Sequence, residues 1–159
     1  MTSMKSVADR FLSQRRIAVA GVSRQGGGSH GGNVVYTRLR DRGYEVFPVN
    51  PNAESVEGDP CYPNLACISG GIDAVVIATP PAESVRVMRE CVDLEVDLVW
   101  IHRSFGGGST SAEATRVGRD HDITVIDGGC PLMYGQASDA GHRMMGTILR
   151  LTGTIPREM

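Results

Sequence analysis

The residues of this 159-residue chain whose types and spacing could do chemistry are glycines, a histidine and a cysteine, all at the ends of short apolar runs. The longest such stretch is GVSRQGGGSHGG, residues 21–32, which follows one apolar run and precedes a helix-period segment. Glycines lack a Cβ, so successive backbone N–H groups can close around an anion, and the start of the next helix adds about half a positive charge. That is phosphate-binding chemistry. The stretch is not GxGxxG, because Ser23 stands where the second glycine would be, and it holds no Walker GxxxxGK[ST]. Four further runs end in the same way, at Asn50-Pro51-Asn52, at Thr79-Pro80-Pro81, at HRSFGGG (residues 102–108) and at Gly128-Gly129-Cys130-Pro131. His102 could touch a ligand or be an internally satisfied ring. Cys130 could be a low-pKa thiol open to disulfide exchange, or simply a small buried residue.

These loops need a scaffold that brings them to one edge. Residues 17–21, 44–49, 73–78, 97–101 and 123–126 are short, apolar and β-branched, and each is bounded by Gly, Pro or Asn. Near-continuous apolar strands are buried on both faces, which implies a parallel sheet covered by helices. Helix-period segments lie before and between them: 7–14, 34–42 capped by Asn33 or a neighbouring glycine with Gly43 closing it, 82–94 with Val85, Met88 and Val92 inward, 111–119, and a last one from Ser138 or Asp139 to about Leu151. The order α-(βα)×5 predicts one α/β domain, a Rossmann-like doubly wound sheet of about five mainly parallel strands with helices on both faces, its core over about residues 15–151. In such a sheet ligands bind beyond the C-terminal strand ends, where the strand order reverses. All five loops fall there.

Composition narrows the function. A formal net charge of −2 provides no footprint for nucleic acid or an anionic membrane. No apolar run approaches the roughly 18 residues that span a bilayer. The first sixteen residues lack the apolar core of a signal peptide, and Cys61, Cys67, Cys91 and Cys130 form no CxxC or zinc-ligand pattern, so a cytoplasmic protein with reduced thiols is expected. The apolar stripe Met144, Met145, Ile148 and Leu149 reads as packing or as a face for a second copy in a homodimer.

Several segments together resemble a known family. They are IAVAGVS (17–23), GYEVFPVNP (43–51), CYPNL (61–65), DAVVIATPP (73–81), VWIH (99–102) and GGCP (128–131). In that order they resemble the small CoA-binding proteins built like the N-terminal domain of the succinyl-CoA synthetase alpha subunit. The resemblance implies coenzyme A or an acyl-CoA as ligand. Gly21, Val22 and Ser23 would line the nucleotide, Asn50 and Pro51 the adenine–ribose region, and Thr79, Pro80 and Pro81 the pantetheine or adenine. Asn33 and Val34 at the start of the second helix, Ile101 with His102, and Cys130 complete the implied contacts. Gly129 replaces the Asn of the family's Asn-Cys-Pro turn, and Arg24 and His30 stand in for the basic phosphate partner. The synthetase's second domain, which carries its phosphohistidine, has no counterpart here, so binding without catalysis is expected. The alternative on the same fold is an NAD(P)-binding oxidoreductase or redox sensor. Its weakness is the absence of an acid directly after the second strand, where Asn50 and Pro51 stand and Glu54 only lies nearby.

Overall fold

A computed structural model of the protein describes residues 2–26, 31–103, 108–135, 140–153 and 155. Along the chain run α1 (Met4–Leu12), β1 (Arg16–Ala20), α2 (Gly31–Asp41), β2 (Glu45–Val49), β3 (Ser55–Val56), β4 (Asp59–Pro60), β5 (Ala74–Ile77), α3 (Pro81–Asp93), β6 (Leu98–Ile101), α4 (Ala112–Asp120), β7 (Thr124–Asp127) and α5 (Ala140–Leu151). Five strands form one parallel sheet in the order β2-β1-β5-β6-β7. This is the Rossmann-like doubly wound sheet that the alternation of elements predicts. The order reverses between β1 and β5, which puts the switch point beside Gly21 and Ala78.

The two faces of the sheet carry separate cores. Ile17, Val19, Val76, Leu98, Trp100 and Ile126 pack under α1, α2 and α5. Ala18, Val75, Ile77, Val99, Ile101 and Val125 pack under α3 and α4. The alternation of side chains along each strand sends neighbours to opposite faces, so a run that is apolar throughout fills both cores at once. Pro48, which has no N–H to offer, lies in the edge strand β2, where its carbonyl accepts Tyr62 N at 2.9 Å and the chain around Tyr62 covers the edge.

Three local expectations change. The second helix begins at Gly31, not Val34, so Asn33 sits inside its first turn. Its C-terminal end is as anticipated: Gly43 takes φ 86°, with Gly43 N on Arg40 O and Tyr44 N on Leu39 O. In α3 the inward stripe is Ser84, Val87, Met88 and Cys91, while Val85 and Val92 lie at its edge. In α5 only Leu149 and Gly146 are buried; Gly146 is tight because a Cβ there would lie 3.1 Å from Met133 Cβ. That approach rotates Met144, Ile148 and Leu151 outward, to 66%, 44% and 76% exposure.

The sequence reading missed a hairpin. β3 and β4 pair antiparallel around Glu57 and Gly58, both at positive φ (50° and 83°), as a two-residue hairpin turn requires. Alternating apolar residues, the usual signal, are absent from two-residue strands.

Candidate functional site

The site starts from one close contact. Gly21 ends β1 with φ 97°, and a Cβ there would lie 2.4 Å from the Ala78 carbonyl carbon and oxygen and 2.5 Å from Thr79 N. Only glycine allows the chain to leave β1 and pass over the end of β5. Gly32 repeats the logic from the helix side: its Cβ would lie 3.0 Å from Gly21 O and 3.1 Å from Ala78 Cβ. The first turn of α2 is thereby drawn against the switch point. The N–H groups of this first turn have no partner within the helix, and Gly31 and Gly32 border the space above the sheet.

That space is a cleft of about 570 Å³, within the usual range for a small-molecule site. Its floor is Ala20 to Ser23, and Gly31 and Gly32 form one wall. Val49 to Asn52 form a second wall, Ala78 to Pro80 with Glu83, Arg86, Val87 and Glu90 of α3 a third, and His102, Gly108 and Ser109 the far end. Ser23, Asn50 and Asn52 also border an adjoining depression lined by Arg24 and Gln25.

Hydrogen bonds fix these walls. Asn50 Nδ2 donates to Val22 O at 2.7 Å while its Oδ1 accepts from Asn52 N at 2.8 Å, which ties the end of β2 to the floor. Ser84 Oγ bonds Thr79 Oγ1 at 3.1 Å and donates to Ser109 O at 2.8 Å, which joins the start of α3 to the loop after β6. Asn33, only 1% exposed, acts like a strand partner for the glycine-rich loop. Its Oδ1 accepts Ser23 N at 2.6 Å, and its Nδ2 donates to Ser23 O at 2.8 Å and Glu57 Oε1 at 3.0 Å. The hairpin holds Glu57 in place through Arg40, whose Nη1 donates to Glu57 O at 3.0 Å and Asp59 Oδ2 at 2.7 Å, and through Tyr36, whose hydroxyl also donates to Asp59. The Tyr36 bond and then the Arg40 bond hold the Asp59 carboxyl below its ordinary range.

The charges are unevenly placed. Arg86 pairs with Glu90 at 2.5 Å and with Glu83 at 3.9 Å, and Glu90 Oε2 also accepts Leu65 N at 3.2 Å. His102 sits at the opposite end. Burial, and then the neighbouring His142, lower its pKa to about 4, so the ring is neutral at pH 7.

A family model described as a CoA binding domain matches residues 15–136, which hold every residue of this cleft. The chain belongs to the CoA-binding domain family. It is 30% identical over 125 residues to YneT, an uncharacterised protein of Bacillus subtilis, covering 78% of this chain and 87% of that one. It is 27% identical over 128 residues, 77% of the chain, to the ADP-forming acetate–CoA ligase I of Archaeoglobus fulgidus. The chain spans only 18% of that ligase and 11% of ligase II of the same organism. Among solved structures, a hypothetical protein from Pyrococcus horikoshii OT3 superposes with TM-score 0.72 at 21% identity, covering 83% of this chain and 92% of that one. The apo form of a dinucleotide-forming acetyl-coenzyme A synthetase 1 from Ca. Korarchaeum cryptofilum gives 0.66 at 22% identity, covering 90% of this chain and 37% of that one. At these identities the likeness concerns the fold.

In this CoA-binding domain the residues singled out from the sequence divide into three groups. Gly21, Val22, Ser23, Asn50, Pro51, Thr79, Pro80 and His102 line the cleft together, and Arg24 lines the depression beside it. Asn33, Val34 and Pro81 stand just behind, in the first turns of α2 and α3, and the Asn33 amide faces protein partners. Ile101 and Cys130 do neither: both are buried in the cores, Cys130 at the start of a 3-10 turn over Pro131–Met133. His30 lies outside the described residues. Glu83, Arg86 and Glu90 were missed because nothing in the sequence says which face of α3 turns over the strand ends.

The thiols have distinct environments. Cys67 is exposed, Cys61 half-buried with its pKa pushed up by burial, and Cys91 and Cys130 buried. Iodoacetamide at neutral pH should therefore modify Cys67 first and Cys61 slowly, with Cys91 and Cys130 reacting only after unfolding. Peptide mass spectrometry reads the order. Labelling of Cys130 in the native protein as fast as free cysteine would contradict its burial.

Proposed function

We propose that this chain binds coenzyme A, free or acylated, in the cleft at the C-terminal edge of the sheet, and that it acts as a binding module without chemistry of its own. The supporting observation is the glycine cradle. Gly21 and Gly32 bring backbone and a helix start together where a Cβ would collide at Gly21 and be tight at Gly32, which suits a diphosphate. Asn50 and Pro51 would frame the adenine–ribose region, and Thr79 and Pro80 the pantetheine. Arg24 supplies a cation beside Asn50 and Asn52. Relatives of the chain, acetate–CoA ligases among them, are named for the same ligand.

The NAD reading has less support. Its ribose anchor would be a carboxylate at the end of β2, but there the Asn50 amide bonds Val22 O and Asn52 N. Glu54 borders a different hollow with Pro51, Cys61 and Pro63. For catalysis, the cysteine best placed in sequence, Cys130, is in the core instead of the cleft.

Isothermal titration of ligand-free protein with CoA, acetyl-CoA, NAD, NADP and ATP tests this. Saturable binding of CoA or acetyl-CoA, with NAD at least tenfold weaker, is the expected result. Binding of NAD without CoA would overturn it.

A further inference from the structure

His102 is a feature of the cleft whose chemistry the binding reading leaves unused. The residue is only 8% exposed, and its ring lines the cleft. A ring nitrogen that reaches a cleft can take its hydrogen-bond partner from a ligand. The ring closes one end of the cleft and lies against the first residue of α2: a Cβ on Gly31 would stand 2.8 Å from His102 Cε1 and 3.4 Å from Nδ1. The helix start that suits an anion and the His102 ring therefore share one corner.

We infer that phosphate binding at the start of α2 is coupled to protonation of His102, so that the cleft takes up its ligand together with a proton. This rests on the reading that a phosphate-bearing CoA occupies the cleft. In the free protein the immediate surroundings oppose an imidazolium: the ring is buried, the helix start carries partial positive charge, and His142 of α5 adds to it. Arg103 is next in the chain, and the other charged groups of the cleft, Glu83, Arg86 and Glu90, line its opposite end from α3. Glu90 and Glu83 are engaged with Arg86. A bound phosphate reverses the balance. An opposite charge at about 4–6 Å favours the charged form by a factor of about 10–1000. That returns the pKa from about 4 toward the ordinary 6.5. The proton comes from solvent and goes to the ring nitrogen facing the phosphate.

The sign follows from those two values. A pKa higher in the bound state makes affinity rise as pH falls through the bound value, and levels it below the free one. Between pH 7.5 and 5.5 the gain from this group is about tenfold.

The test is calorimetric titration of the full chain with CoA at pH 5.5 in buffers of different ionisation enthalpy, for the wild type and His102→Gln. The phosphomonoester of CoA titrates in the same range, so the difference between the proteins is what counts. Wild type should take up close to one proton more than H102Q. Equal uptake by both overturns the coupling while leaving CoA binding intact, whereas no CoA binding at any pH overturns the reading and the coupling together. Should H102Q fail to fold, NMR titration of the histidine Cε1–H signals in the wild type decides. One signal should titrate near 4 without CoA and about two pH units higher with it. If no signal moves upward, the coupling is wrong.

Discussion

Gly21→Ala should lower the unfolding free energy by about 3–5 kcal/mol, the sum of a side chain forced to positive φ and an overpacked contact. The contact is with backbone, since the new methyl would lie 2.4 Å from the Ala78 carbonyl and 2.5 Å from Thr79 N, and neither can rotate away. Relief requires the ends of β1 and β5 to part, which breaks the Ala78 N to Ala20 O bond of 2.7 Å at the switch point. Against a total stability of about 5–15 kcal/mol the loss is a large fraction, and CoA affinity should fall with it. Gly43→Ala is the control. Gly43 also has positive φ, 86°, but nothing lies within 4 Å of its Cβ position, so it should cost only about 1–2 kcal/mol. Urea denaturation of both variants measures the difference. Equal losses would show that the close approach over β5 contributes nothing.

Asn33→Ala should cost about 2–3 kcal/mol and weaken CoA binding at least tenfold, because it removes a buried group with three hydrogen bonds. The Ser23 N–H and C=O lose their partner, and Glu57 loses one donor. The loop that carries Ser23 and Arg24 is then no longer tied to α2. Asn33→Asp separates the two halves of the role. It keeps an acceptor for Ser23 N but places a second carboxylate where the amide now lies 3.0 Å from Glu57 Oε1. Two carboxylates so close raise the folded-state pKa of one of them. An acid with a raised pKa favours folding below its unfolded value and opposes it above. N33D should therefore be least destabilised near pH 4 and lose stability as pH rises toward 7, while N33A shows no such trend. Chemical denaturation across that range reads the slope, and a flat N33D profile would mean that Glu57 does not face position 33.

Much of the molecule was legible because burial on both faces leaves a plain mark. Strands such as Ala74–Ile77 and Leu98–Ile101 have no polar residue to interrupt them, and the loops after them hold the glycines and prolines that a cleft rim needs. What escaped was three-dimensional adjacency. Asn33 looks like a helix cap by type and position, but its amide reaches ten residues back along the chain to Ser23. Glu57 lies in a two-residue turn with no apolar alternation around it, and its role exists only because Arg40 holds the hairpin against α2. Cys130 sits in a loop at the rim edge in sequence, yet at the start of the turn over Pro131–Met133 it is buried in the core that also holds Trp100 and Tyr134. Which side of a loop faces the ligand is decided by packing, not by spacing.

The single tryptophan of the chain has a use beyond packing. Trp100 is fully buried, its indole donates to Gly128 O at 3.0 Å, and it meets Phe11 edge-on at 5.3 Å and Tyr134 at 5.6 Å. It belongs to the core under α1, α2 and α5 and is not among the residues that line the cleft. Its emission is therefore a built-in, site-blind gauge of whether the protein is folded, so loss of folding and loss of ligand grip can be told apart in one cuvette.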